Sequence, residues 1–175
     1  MNSQHPTTTG KRLSANKRSG FTLIELMITI AVAAILLTIA VPSFLEATLS
    51  SKLRATANNL ASSAFLARSE AIKRNTPATL CASSNGTSCT GSWDQGWIVT
   101  LADGTIIHQQ GKVPNGFRVI GAVTTLSFQP SGVGATTADF TVCRESPSVG
   151  SQERAVNISA TGRPSVEKTT NGACG

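Results

Sequence analysis

The feature that most constrains this chain is an apolar run from Phe21 to Leu45, 25 residues long, in which Glu25 is the single charge. A helix of that length can span a bilayer with some tilt. A cleaved secretory signal has a shorter apolar core and a small-residue cleavage site after it, whereas Val41-Pro42-Ser43-Phe44 stands near the end of this run. The run therefore predicts a membrane-spanning helix that stays in the chain, with a kink at Pro42 because proline removes one helical hydrogen bond.

Four cations and no acid precede the apolar run: Lys11, Arg12, Lys17 and Arg18. Positive charge that flanks a spanning helix stays in the cytoplasm, so we expect residues 1–20 inside the cell and the chain after about Leu45 outside it. The formal charge of +6 comes from 15 Lys and Arg against 9 acids. Without the four leading cations, 11 Lys and Arg stand against 9 acids, which gives a charge of +2. The charge of the rest of the chain is therefore only weak evidence for an anionic partner.

Glu25 argues for more than an anchor, because a charge inside a spanning segment is costly and usually has a partner. Cleavage after Gly20 would create an amino group at Phe21, one helical turn from Glu25. That ammonium could pair with Glu25 of the same chain or of a neighbouring subunit. The alternative is a plain uncleaved signal anchor.

The stretch Gly20-Phe21-Thr22-Leu23-Ile24-Glu25-Leu26 resembles the class III signal of type IV pilins and type II secretion pseudopilins. The resemblance implies that a prepilin peptidase cuts between Gly20 and Phe21 and N-methylates Phe21. It also implies that Glu25 serves subunit registration in a filament and that Pro42 lies at the usual helix kink. The implied partners are other pilins or pseudopilins, the peptidase and the bacterial inner membrane.

An amphipathic pattern continues the helix beyond the apolar run. Apolar residues recur every three or four positions, which places them on one helical face: Leu49, Leu53, Ala57, Leu60, Ala64, Ala67 and Ala71. Lys52, Arg54, Asn58, Asn59, Arg68 and Lys73 occupy the opposite side. Asn75-Thr76-Pro77 ends the helix, since the residue before proline avoids the helical region.

Short β-prone runs alternate with turn residues after Ala78. They predict strands at 78–82, 96–102, 105–109, 117–120, 125–128, 139–143 and 156–159. Asp103-Gly104 is a favoured pair for a two-residue hairpin turn. The expected fold is α+β, a long N-terminal helix packed on one antiparallel set of strands. The expected segments are a leader (1–20), a transmembrane half-helix (21–45), an amphipathic half-helix (46–75) and a β-rich domain (76–175).

The four cysteines, Cys81, Cys89, Cys143 and Cys174, are an even number in an exported domain, where disulfides are plausible. Three pairings are possible. We favour Cys81 with Cys89, which closes a short loop, and Cys143 with Cys174, which ties the tail to a strand. Buried free thiols are less favoured in the periplasm. A metal site is less favoured still, because the spacing is not C-x-x-C and His108 is the one histidine after the leader.

Trp93-Asp94-Gln95-Gly96-Trp97 contains two aromatics that could stack a ligand, although core packing is the commoner role of such residues. With Asp103-Gly104 and Ile158-Ser159-Ala160-Thr161-Gly162-Arg163, this stretch resembles the GspH/FimT branch of the pilin-like proteins, which includes the minor pilins FimT and FimU.

Nothing in the sequence favours an enzyme or a bound cofactor. No G-x-S-x-G, P-loop or H-E-x-x-H motif occurs. The acids after residue 46 are scattered singly, as on a solvated face: Glu70, Asp94, Asp103, Asp139, Glu145, Glu153 and Glu167.

Three functions remain open. The first is a minor pilin that helps to initiate or cap type IV pilus assembly. The second is a type II secretion pseudopilin of the H class. The third follows from resemblance to DNA-binding FimT-type minor pilins, whose C-terminal G-R-x-R-V pattern is partly matched by Gly162-Arg163-Pro164-Ser165-Val166. Its possible DNA contacts are Arg163, Lys168 and Arg154, but Ser165 replaces the second arginine and Glu167 opposes the positive charge.

Overall fold

The computed structural model describes residues 20–132 and 135–174, which form two compact units. The first unit ends at Ser43 and the second begins at Phe44. One helix, α1 (Leu23–Arg74), starts in the first unit and ends in the second. Of the expected leader, only Gly20 falls within the described residues. Pro42 lies inside α1, and the kink there stays a prediction.

The second half of α1 buries the face that the periodicity predicts. Six of the seven predicted residues are buried, from Leu53 to Ala71, and Leu49 is partly buried. Thr56 and Ser63 are buried beside them and bond to carbonyls one turn back, those of Lys52 and Asn59. Four of the eight buried residues of α1 are alanine, so other elements can approach the helix backbone closely there.

The helix ends where the sequence predicts, through a specific cap. Asn75 takes a positive φ of 53°. Its N–H bonds the carbonyl of Ile72, and the N–H of Thr76 bonds the carbonyl of Ala71. This pair of bonds is a Schellman motif, which satisfies carbonyls at the helix end that have no partner within the helix.

Among the residues that the structure describes, eight strands and one short 3-10 helix follow α1. The strands are β1 (Ala78–Ala82), β2 (Trp97–Leu101), β3 (Ile106–Gln110), β4 (Phe117–Gly121), β5 (Thr125–Phe128), β6 (Ala138–Arg144), β7 (Glu153–Ile158) and β8 (Pro164–Thr169), and the 3-10 helix is Trp93–Gln95. They form two four-stranded antiparallel sheets, with orders β3-β2-β1-β5 and β4-β6-β7-β8. One core joins both sheets to α1.

Two sequence expectations for the strands need correction. The strands form two sheets rather than one set, because β4 pairs with β6 instead of joining the first sheet. Strand β8 was not predicted. It begins at a proline and carries Glu167 and Lys168 at an exposed edge, so it lacks the apolar alternation that marks a half-buried strand.

The β2–β3 hairpin is one residue longer than the two-residue turn that Asp103-Gly104 favours. A two-residue type I′ turn needs a positive φ at both positions. Within residues 20–132 and 135–174, Asn75 is the one non-glycine residue with positive φ, so Asp103 lacks it, whereas Gly104 has a φ of 84°. The N–H of Leu101 bonds the carbonyl of Thr105 across a three-residue loop. The N–H of Thr105 also donates to Asp103 Oδ1 at 2.8 Å and lowers the pKa of that carboxyl.

Both disulfides join the pairs that the sequence favours. Cys81 in β1 is bonded to Cys89, and Cys143 in β6 is bonded to Cys174 in the tail. The first bond closes a short loop, and the second holds the C-terminus against the second sheet.

Candidate assembly surface and C-terminal cations

The N-terminal part of α1 leaves its apolar side chains uncovered. Every residue from Phe21 to Thr48 is exposed. An 18-residue window of this helix has a mean hydropathy of 2.6, and none of that window is buried. Soluble proteins rarely expose so large a contiguous apolar surface. This part of the helix is long and apolar enough to cross a membrane.

Glu25 lies in the first turn of α1, and its N–H bonds Thr22 Oγ1 at 3.3 Å. Thr22-x-x-Glu25 has the spacing of a capping box, in which a threonine and a glutamate satisfy the first free N–H groups of a helix. A carboxylate there also interacts favourably with the helix dipole. The observed bond therefore caps the helix through the side chain of Thr22 and the backbone of Glu25, a local contact that the sequence analysis did not predict. Among the ion pairs between described residues, none involves its carboxylate.

The two tryptophans are core residues, with 3% of Trp93 and 1% of Trp97 exposed. Trp93 packs edge-on against Phe140, with ring centroids 4.9 Å apart, and its Nε1 donates to the carbonyl of Val123 at 2.7 Å. Trp97 Nε1 donates to Ser63 Oγ in α1 at 2.9 Å. Both indole N–H groups therefore bond protein atoms, and both rings are packed inside the fold.

The residues between the tryptophans are also structural. Asp94 Oδ1 accepts a 2.6 Å bond from the N–H of Val119 and so joins the 3-10 helix to β4. Gly96 has a φ of 123°, and a Cβ there would lie 2.4 Å from the carbonyl oxygen of Gln110. The motif is thus explained by packing and by backbone geometry rather than by a ligand.

The three C-terminal cations do not form one surface cluster. Arg163 and Lys168 are exposed. Arg154 is only 6% exposed, and its Nη1 donates to the carbonyl of Glu153. Although Arg154 pairs with Lys168 across β7 and β8, its guanidinium is not available as a surface cation. The sequence-based assignment of Arg154 as a possible DNA contact is therefore wrong, because the residue is buried.

Glu153 was expected on a solvated face with the other scattered acids, but the structure buries it. It is 3% exposed, and its two carboxylate oxygens accept the N–H groups of Asn171 and Ala173 at 3.0 and 2.7 Å. The carboxylate thus holds the tail next to the Cys143–Cys174 bond. Asn171 and Ala173 are 18 and 20 residues away from Glu153 in the sequence. Local sequence patterns therefore could not predict this contact.

Arg68 and Arg144 are further cations whose roles the sequence did not reveal. Arg68 was assigned to the solvated side of α1, but it is partly buried and donates to the carbonyls of Thr161 and Gly132. Arg144 is 6% exposed, and its guanidinium bonds both carboxylate oxygens of Glu46 at 3.1 to 3.2 Å. Within the part of the chain that the structure describes, no group of three His, Cys, Asp or Glu side chains could hold a metal ion.

Two family models match the sequence of this chain. The family model described as "Type II transport protein GspH" matches residues 56–162, which is more than half of the chain. The chain belongs to the GspH family. A second model, the prokaryotic N-terminal methylation motif, matches residues 15–41. Together they identify a minor pilin or pseudopilin of the type IV pilus or type II secretion class.

Solved structures agree on the fold. The chain is similar to the type IV minor pilin FimU of Pseudomonas aeruginosa in two crystal forms, at 22% identity in each. The TM-scores are 0.56 and 0.53, covering 73% and 70% of this chain and 98% and 100% of FimU. The minor pseudopilin EpsH of the Vibrio cholerae type 2 secretion system is similar at 12% identity, with a TM-score of 0.49 over 69% of this chain and 98% of EpsH. No curated protein sequence matches this GspH-family chain significantly.

The family also fixes the general role. GspH-family proteins are structural subunits that assemble with other pilins or pseudopilins and are processed at the methylation motif. The motif and the apolar N-terminal helix indicate that the chain is anchored in a membrane.

Proposed function

We propose that this chain is a non-catalytic minor pilin of the FimT/FimU type that helps to initiate or cap type IV pilus assembly. Residues 1–20 are the leader, which a prepilin peptidase removes between Gly20 and Phe21 before it methylates Phe21. Residues 21–45 anchor the subunit in the inner membrane and later enter the filament core. Residues 46–75 and 76–175 form the periplasmic part, with the leader on the cytoplasmic side.

One observation carries the proposal: a methylation motif over residues 15–41 precedes a GspH-family domain over residues 56–162, and every residue of the apolar helical segment 21–48 is exposed. Such a surface needs cover in every state of the protein. Lipid covers it before assembly, and the helices of neighbouring subunits replace lipid in the filament. Ala31, Ala33, Ala34 and Ala40 allow those helices to approach closely.

The position of Glu25 supports a role in assembly. Its carboxylate stands four residues after the proposed new amino terminus, at the start of a helix that otherwise carries no charge before Glu46. We propose that it pairs with the methylated amino group of Phe21 in a neighbouring subunit, which sets the register between helices. A capping-box role of the Glu25 side chain at the start of the helix is a competing explanation, and the two can be separated by substitution.

The test compares Glu25→Gln with Glu25→Ala in the native host. Glutamine keeps the capping-box pattern, since Glu and Gln both serve at this position, but it removes the charge. We expect both variants to lose pili and twitching motility, while Thr29→Ala, a control in the same helix, behaves as the parent. If Glu25→Gln assembled pili normally, a charge-paired role for Glu25 would be excluded.

A type II secretion pseudopilin of the H class is the main alternative, and the family description favours it by name. Deletion of the gene distinguishes the two. A pilus subunit predicts loss of surface pili with normal exoprotein secretion, and a pseudopilin predicts the reverse.

DNA binding is a third proposal with narrower support. Of its three candidate cations, Arg163 and Lys168 remain exposed, and Glu167 lies between them in sequence. Phosphate affinity rises with the number of cations that neutralise it, so two cations predict weak binding. A gel-shift titration that compares the parent with Arg163→Gln tests it: no salt-sensitive shift, or an equal shift in both proteins, contradicts this role.

A further inference from the structure

The loop between β6 and β7, residues 145–152, lies against the beginning of the helix in the second unit. A cleft of about 380 Å³ separates the two. Its helix wall contains Glu46, Ala47, Leu49, Ser50 and Leu53, and its opposite wall contains Phe117, Arg144, Gly150, Ser151 and Gln152. The loop is therefore close to the point where the apolar run ends at Leu45.

Arg144 fixes the loop to the helix. Its Nη1 and Nη2 bond the carboxylate of Glu46, and its Nε donates to the carbonyl of Ser148 at 2.8 Å. Gly150 packs on the guanidinium, where a Cβ would lie 3.2 Å from Nη2. Arg144 thus binds the helix on one side and both neighbours of Val149 on the other.

Val149 lies in this loop and is exposed, with 48% of its surface accessible. Phe44 and Leu45 are 73% and 56% exposed, directly before Glu46. Adjacent helical residues are about 1.5 Å apart along the axis, so Glu46 lies almost at the end of the apolar run. The Arg144–Glu46 pair therefore holds an exposed valine beside the end of a segment that requires apolar surroundings.

We propose that Val149 inserts at the boundary between headgroups and acyl chains of the membrane leaflet that the helix leaves, and that Arg144 is the positioning residue that holds it there. The partner is the lipid surface, because Arg144 contacts both neighbours of the exposed valine and also Glu46, the residue that directly follows the apolar run. The domain would then sit on the bilayer through this loop until its subunit enters a filament. This inference rests on the membrane anchoring in the proposed function.

The test uses the full chain reconstituted in phosphatidylethanolamine and phosphatidylglycerol vesicles with brominated acyl chains, which quench tryptophan fluorescence on contact. Three variants each add one reporter: Val149→Trp, Ile106→Trp and Val32→Trp. Ile106 lies on β3 and is 39% exposed, which makes it a matched control, and Val32 lies in the apolar segment. The buried Trp93 and Trp97 give a background that is measured on the parent chain.

We expect the added fluorescence of Val149→Trp and Val32→Trp to be quenched and that of Ile106→Trp to be unaffected. Quenching at Val32 without quenching at Val149 beyond the Ile106 control would overturn this inference and leave the membrane anchor intact. Absence of quenching at Val32 would overturn the anchor, and the proposed function with it.

A second arm tests the role of Arg144. Arg144→Gln and, as a milder change, Glu46→Gln are each combined with Val149→Trp, and near-ultraviolet circular dichroism verifies the fold. We expect quenching at Val149 to fall in both backgrounds and quenching at Val32 to stay unchanged. Undiminished quenching at Val149 in both would show that the added tryptophan inserts by itself, which contradicts the proposal.

Discussion

Trp97 Nε1 donates a 2.9 Å hydrogen bond to Ser63 Oγ and so connects β2 to the centre of the buried face of α1. Both residues are almost completely buried, at 1% and 2% exposure. Ser63 Oγ in turn donates to the carbonyl of Asn59 at 2.8 Å. A polar side chain on an alanine-rich helical face is thereby satisfied by the second tryptophan of the W-D-Q-G-W stretch.

Trp97→Phe should lower the free energy of unfolding by about 1–3 kcal/mol, because it removes a buried hydrogen bond and some packing volume. Ser63→Ala should also be destabilising, since it leaves the indole N–H without a partner. Denaturant unfolding of both variants and of the double variant measures the coupling. The double variant should cost less than the sum of the two; strict additivity would contradict the described contact.

Gly96→Ala should destabilise the protein far more than Gly104→Ala. Both glycines have positive φ, 123° and 84°. A Cβ at Gly96 would meet the carbonyl oxygen of Gln110, whereas a Cβ at Gly104 would meet nothing within 4 Å. We expect a loss of about 1 kcal/mol at Gly104 and about 3 kcal/mol or more at Gly96. Equal melting temperatures for the two variants would refute the close approach at Gly96.

Glu153→Gln should loosen the C-terminal tail. An amide oxygen can replace one of the two carboxylate acceptors, but its NH₂ group would face a second backbone donor. Hydrogen bonds to charged groups contribute about 1.5–3 kcal/mol, so the amides of Asn171 and Ala173 should exchange faster with deuterium. Glu167→Gln, at an exposed position on β8, is the control and should leave that exchange unchanged. Unchanged exchange in Glu153→Gln would mean that the disulfide alone holds the tail.

The sequence predicts those parts of the fold that rest on local patterns. The helix face from Leu53 to Ala71 follows from a 3.6-residue period, and the helix end follows from Asn75 and Pro77. The first seven strands follow from β-prone runs bounded by turn residues. Strand β8 has no such signal, because an edge strand that begins with Pro164 is stabilised by its pairing with β7 rather than by its own apolar pattern.

Apart from the Cys143–Cys174 disulfide, the contacts between distant residues described above could not be predicted from the sequence. Glu153 and Arg154 look like ordinary surface charges until the tail and the strands around them are placed. The pairing of Arg144 with Glu46 joins residues 98 positions apart. The pair Asp103-Gly104 predicts a turn between β2 and β3. The number of residues in that turn depends on the register of the two strands, which the pair does not determine.

The central claim is that a prepilin peptidase cleaves the chain after Gly20 and methylates the amino group that this cleavage frees at Phe21. Intact-mass and peptide mass spectrometry of the protein purified from its native membrane tests this claim most directly. The account predicts a chain that begins at Phe21, carries one methyl group on that amine and has lost residues 1–20. A chain that still begins near Met1, or an unmodified Phe21, would contradict it.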